Sequence, residues 1–143
     1  MPRHLLTLPA LARYSDWSLL LLRLVTGAFL MWGTQDNIRS ADQMAEFIAF
    51  LRHFGFAWPE VMAPLSVWAQ FLCGALFILG ALTRWAGLVM VFNFIVAMVM
   101  VHLNDEFRAM WPALALIIIC LHLAFAGAGR WSVDAWLERR ADS

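Results

Sequence analysis

Four residues with the chemistry to hold a polar ligand fall inside otherwise apolar stretches: Arg23, Gln70, Asn93 and His122. A guanidinium offers N–H donors only, an amide offers donors and an acceptor, and a neutral imidazole offers one of each. Such donors suit the carbonyl oxygens of a quinone or a similar lipid-soluble head group. An arginine at the centre of a membrane span costs about 2.5 to 3.5 kcal/mol on insertion scales, so polar groups in spans are expected to turn inward and pair. With a rise of ~1.5 Å per residue and a hydrocarbon core of ~30 Å, Arg23 lies ~9 Å from the cytoplasmic side, Asn93 and His122 ~12 Å, and Gln70 ~16 Å. Each of four spans therefore sends one polar group to a similar depth. Arg23 shares a helix face with Gly27 and Thr34, Gln70 with Ser66 and Gly74, and Asn93 with Ala97 and Val101. Small residues at that spacing let helices approach closely. Two readings stand: a buried polar cluster that binds a head group or forms a proton path, or an Arg23 that snorkels to the interface while Gln70 and Asn93 bond neighbouring helices.

The elements that must position these groups are apolar runs at about 17–34, 61–82, 85–102 and 110–127. Each reaches the roughly 17 to 25 residues that a bilayer requires, and backbone in lipid must be helical to satisfy its own N–H and C=O groups. The predicted fold is all-α: one membrane domain over 1–143, built as a four-transmembrane-helix bundle. At 63% hydrophobic and 14% charged residues, the composition agrees, since soluble domains carry roughly 45 to 50% and about 25%. Formal net charge is zero, which gives no basic field for nucleic acid. The links Thr83 to Arg84 and Leu103 to Ala109 are short, so the helices they join are antiparallel neighbours. Arg3, Arg13, Arg84, Arg130, Arg139 and Arg140 fall on one side, and Arg39, Arg52 and Arg108 on the other. The positive-inside rule then places both termini in the cytoplasm. The stretch Met1 to Asp16 is broken by Pro9, Arg13 and Asp16, and a cleaved signal peptide is not expected. Trp17, Trp32, Trp58, Trp85, Trp111 and Trp131 mark the span ends, where amphipathic rings favour the head-group level.

In the first outer loop Met44, Phe47, Ile48, Leu51 and Phe54 recur at helical spacing opposite Asp42, Gln43, Glu46 and Arg52. This predicts an amphipathic helix that lies at the outer interface or caps the bundle mouth, ended by Gly55, with Pro59 leading into the second span. Gln35, Asp36, Asn37, His102, Asn104, Asp105 and Glu106 collect at the outer mouth, as a solvated loop or as an entrance. Cys73 and Cys120 lie in separate apolar runs and form no CxxC pair, so they read as packing residues. His102 and His122 differ too much in depth to be axial ligands of one haem, and no metal, haem or flavin motif is evident.

The run Leu22-Arg23-Leu24-Val25-Thr26-Gly27-Ala28-Phe29-Leu30-Met31-Trp32-Gly33 resembles the opening motif of the DoxX family. Gln70-Phe71-Leu72-Cys73-Gly74 with Leu79-Gly80-Ala81-Leu82-Thr83-Arg84 is similar to the family's second span. Gly127-Ala128-Gly129-Arg130-Trp131-Ser132-Val133-Asp134 is similar to its closing Gly-x-Gly-x-x-Ser-x-Asp. Arg23, Gly27, Gly33, Gly74, Gly127, Gly129, Ser132 and Asp134 match directly. Gln70 replaces a frequent glutamate, Trp32 a common histidine, and Asp36 a frequent lysine, and an amide at 70 does not titrate. The closing Ser132-x-Asp134 also fits a simple cap, because Gly ends helices and Ser or Asp begins them.

The resemblance implies a membrane protein of redox metabolism, in a bacterial-type inner membrane. Relatives serve as a subunit of a thiosulfate:quinone oxidoreductase or organise oxidoreductases at the membrane. The expectation is a quinone-binding subunit, at most part of a membrane oxidoreductase, whose electrons come from a partner. The alternatives are a non-catalytic scaffold or assembly factor and, third, a small transporter or lipid-binding protein, the last requiring a homo-oligomer to make room.

Overall fold

A computed structural model describes residues 8–142. Arg3 of the charge count lies outside the described residues. After a short 3-10 turn at Pro9–Tyr14 come α1 (Ser15–Arg39), α2 (Ala41–His53), α3 (Pro59–Leu79), α4 (Thr83–Ala97), α5 (Phe107–Ala126) and α6 (Val133–Ala141). A π-helical turn at Met98–His102 prolongs α4. Four of these helices are long and apolar enough to cross a bilayer: α1 with its leading turn, α3, α4 with its π turn, and α5. Trp17, Trp32, Trp58, Trp85, Trp111 and Trp131 are all exposed, but Trp32 stands seven residues before the end of α1 because that helix outruns the expected span.

The ends of the spans are decided by local chemistry. Ser40 stops α1 in an extended conformation and caps α2, its side chain accepting from the Gln43 amide. α1 thus runs five residues past the expected Thr34. Pro59 opens α3, where its missing N–H costs nothing. Gly80 ends α3 at φ 67°, in the left-handed region that favours glycine. The turn between α3 and α4 is therefore Gly80 to Leu82, with Thr83 already helical. Gly127, at φ 79°, stops α5.

α1 packs mainly on α3, and α4 mainly on α5, with α3 and α4 joining the two pairs. Lipid removes the hydrophobic drive between helices, so close van der Waals packing must hold them. Glycines make it possible. A Cβ at Gly27 would stand 2.5 Å from the Gly74 carbonyl oxygen, and one at Gly74 2.7 Å from that of Gly27. Here the α1 and α3 backbones touch. Gly87 does the same for α4 and α5, where a Cβ would stand 2.7 Å from the Cys120 oxygen. Phe77, Met90, Cys120 and Leu123 fill the centre.

α2 is the helix expected in the first outer loop. It packs on α1 and α3, buries Leu51, and is tied to the start of α3 by an Arg52–Glu60 ion pair.

Candidate functional site

Arg23 is wholly buried although it carries a charge. It lies two turns into α1, at the end of the bundle where α3 and α5 finish and α4 begins. Its Nη2 donates to the Trp131 carbonyl oxygen at 2.7 Å. A Cβ at Gly80 would fall 2.9 Å from Arg23 Cζ and 2.5 Å from the Ser132 Cβ, so only glycine leaves room for the guanidinium there. Arg23 therefore reaches inward and pins the closing segment; it does not snorkel. Asp134 is the anion close enough for its charge to act on Arg23.

Asp134 has a second role. Its Oδ1 accepts from the Leu82 amide at 2.7 Å and its Oδ2 from the Thr83 amide at 3.0 Å. Its own amide donates to the Gly80 carbonyl at 2.9 Å. The first amides of a helix lack acceptors within it, and a carboxylate there also meets the positive end of the helix dipole. Asp134 thus caps α4 from about 50 residues away. Ser132 caps its own helix, α6, accepting from the Ala135 amide at 3.1 Å. Asp16, at the start of α1, accepts from the Arg130 amide at 3.2 Å, and the Trp17 and Trp131 rings stand 5.7 Å apart. Arg84 closes the end of α5 by donating to the Ala124 and Phe125 carbonyls.

Gln70 and Asn93 meet through a third residue. Gln70 Nε2 donates to Ser66 Oγ at 3.2 Å, and Ser66 Oγ donates to Asn93 Oδ1 at 2.8 Å. This chain spans α3 and α4. The Arg23 hydrogen bond runs to the closing segment and not to this chain.

His122 is elsewhere again. It is exposed, four residues before the end of α5, and lines a groove of about 500 Å³ with Ser15, Asp16, Ser18, Leu19, Leu22 and Ala126. Since α5 ends at Ala126, His122 is only ~6 Å from that helix end at ~1.5 Å per residue. Ser15, Asp16 and Ser18 were not singled out from sequence. Their only signal there is position: the first turn of a span that starts at the end where α5 finishes. At the opposite end of the bundle, His102 Nδ1 and Asp105 Oδ2 are 2.8 Å apart, and Asn37 donates to the Gln43 carbonyl at 3.1 Å.

The DoxX family model matches residues 18–103, more than half of the chain. The chain belongs to the DoxX family. The matched region includes Arg23, Gln70 and Asn93; His122 and the closing Gly127 to Asp134 lie beyond it. With four candidate spans, this DoxX protein is a multi-pass membrane protein set in a lipid bilayer. No curated protein and no solved structure matches it.

Proposed function

We propose that this DoxX protein is a membrane subunit of redox metabolism that receives a quinone or similar head group beside His122 and works with a partner oxidoreductase. The observation that carries the reading is the groove between the start of α1 and the end of α5. One part of it is polar, from His122, Ser15, Asp16 and Ser18, and the other is apolar, from Leu19 and Leu22. That division suits an amphiphile with a polar ring and a hydrocarbon tail. The His122 imidazole offers one donor and one acceptor for the carbonyl and hydroxyl oxygens of such a ring. Leu19 and Leu22 offer the tail a surface continuous with lipid. A quinone bound there would accept two electrons and two protons and leave as the quinol. The chain brings no redox motif of its own, so the reductant is assigned to the partner.

In this reading Arg23 and the Gln70–Ser66–Asn93 chain are the frame. Arg23 fixes the segment that borders the groove, and the chain holds α3 to α4. Arg13, Arg84, Arg130, Arg139 and Arg140 lie at the bundle end that carries both termini, against Arg39, Arg52 and Arg108 at the other, which supports a cytoplasmic location for both ends in a bacterial-type inner membrane. α2 then lies at the outer interface.

A second reading, a non-catalytic scaffold, is favoured by the way the closing segment is held. Arg23, Asp16 and Asp134 fix it at three points while Trp136 and Leu137 remain exposed on α6. Mass spectrometry and absorption spectra of the detergent-purified protein separate the two. Quinone retained by the wild type and lost from His122→Ala is the expected result, and its loss from Gln70→Ala as well would extend the site to the α3–α4 chain. A preparation without bound quinone overturns the quinone reading and leaves the scaffold.

A further inference from the structure

A second cavity, of about 550 Å³, lies on the other side of the closing segment, between it and the start of α4. Three features give it a ligand chemistry of its own. Two guanidiniums, Arg84 and Arg130, line it. Arg84 uses Nη1 on the α5 carbonyls, while its Nη2 and Nε face Gly127, where a Cβ would stand only 3.1 and 3.3 Å away. Neither Nη2 nor Nε makes a hydrogen bond among the described residues. Thr83, also in the lining, is wholly buried, and its Oγ1 has no hydrogen-bond partner. That oxygen is closed off from the cavity in this structure; a buried hydroxyl left unsatisfied costs about 1 to 3 kcal/mol, so turning it toward an acceptor in the cavity is favourable.

The charge balance favours an anion. Two carboxylates also line the cavity, Asp134 and Glu138. Both oxygens of Asp134 are taken by the Leu82 and Thr83 amides, and the Arg23 guanidinium lies against Gly80, whose carbonyl accepts from the Asp134 amide. Glu138 alone opposes Arg84 and Arg130, and it is exposed at the rim. One side of the rim is apolar, with Leu82, Trp85 and Leu137 all exposed. Guanidinium pairs match phosphate oxygens through several charge-assisted bonds.

We propose that this cavity binds a phosphate anion, and that the apolar rim makes its source the head group of an anionic phospholipid. Arg84 and Arg130 hold the phosphate oxygens, Thr83 donates from below, and the acyl chains leave across Trp85 and Leu82 into the bilayer. The site is independent of the His122 groove and stands whether or not quinone binds there.

The test uses the full chain, delipidated in detergent and melted in the presence of a thiol-reactive dye that reports exposure of Cys73 and Cys120. The probes are short-chain phosphatidylglycerol, phosphatidylcholine of the same length, and inorganic phosphate. Phosphatidylglycerol is expected to raise the melting temperature saturably and more than phosphatidylcholine. Arg130→Gln should weaken its apparent affinity about fivefold, the worth of one arginine at an anionic surface. Glu138→Gln should tighten it, which keeps the proposal testable if Arg130→Gln melts too early to titrate. An equal, Arg130-dependent shift with inorganic phosphate supports the anion site and reassigns its source to free phosphate. No saturable shift, or one that is the same for both lipids and unchanged in both variants, overturns the proposal.

Discussion

Replacing Asp134 by alanine removes two hydrogen bonds to a carboxylate, at 2.7 and 3.0 Å, and leaves the first amides of α4 without acceptors. Hydrogen bonds to charged groups contribute about 1.5 to 3 kcal/mol each. The Leu82 bond is an exposed one, so the lower figure applies. The pair then amounts to about 3 kcal/mol. For a chain near 150 residues each kcal/mol moves the melting temperature by about 2 to 4 °C, which gives a fall of about 6 to 12 °C. Asp134→Asn keeps one acceptor oxygen and loses the charge opposite Arg23, so it should fall between the two. The assay is thermal unfolding in detergent followed by a maleimide dye, because Cys73 and Cys120 are both buried free thiols. Glu138→Ala, at an exposed position on the same helix, is the control and should melt with the wild type. If Asp134→Ala melts within about 2 °C of wild type, less than about 1 kcal/mol, the capping of α4 by the closing segment is refuted.

The crossing of α1 and α3 predicts opposite signs for two glycines on one helix. Gly27→Ala drives a Cβ to 2.5 Å from the Gly74 carbonyl and should cost about 1 to 3 kcal/mol in the same melting assay, as overpacking does. Gly33→Ala meets nothing within 4 Å and should be neutral or stabilising by up to about 1 kcal/mol through helix propensity; equal effects at both positions would contradict the crossing. The assigned orientation is checked by cysteines placed at Asn104 and Asp142. A membrane-impermeant maleimide applied to intact cells should label Asn104→Cys, and Asp142→Cys only after lysis, whereas the reverse pattern inverts the topology.

Much of the frame was legible in the chain. The four apolar runs, most of the tryptophans at their ends and the amphipathic helix of the first loop each follow from local composition and spacing, and each appears within a few residues of its expected bounds. The deviations have local causes too. α3 stops at Gly80 because only glycine tolerates that backbone beside Arg23, and α4 begins at Thr83 because an acceptor is waiting for its amides. The local half of the closing motif was readable as well: Ser132 caps the helix that follows it.

The candidate site was legible only as a set of residue types. Depth along a helix follows from counting residues, but the direction in which a side chain turns depends on which helix lies beside it. Arg23, Gln70, Asn93 and His122 come from four different spans, and counting alone put them near one depth. Packing α1 on α3 and α4 on α5 sends Arg23 to the Trp131 carbonyl, joins Gln70 to Asn93 through Ser66, and turns His122 outward beside Asp16. Asp134 makes the same point across a greater distance. Its place in the sequence suggests a cap for the helix it sits on, but its carboxylate serves a helix some 50 residues earlier in the chain. Apolar content and helical period are sums over neighbours in sequence, so the chain alone determined a four-span helical membrane protein. The partners of its buried polar groups are neighbours in space, and only the tertiary structure decided them.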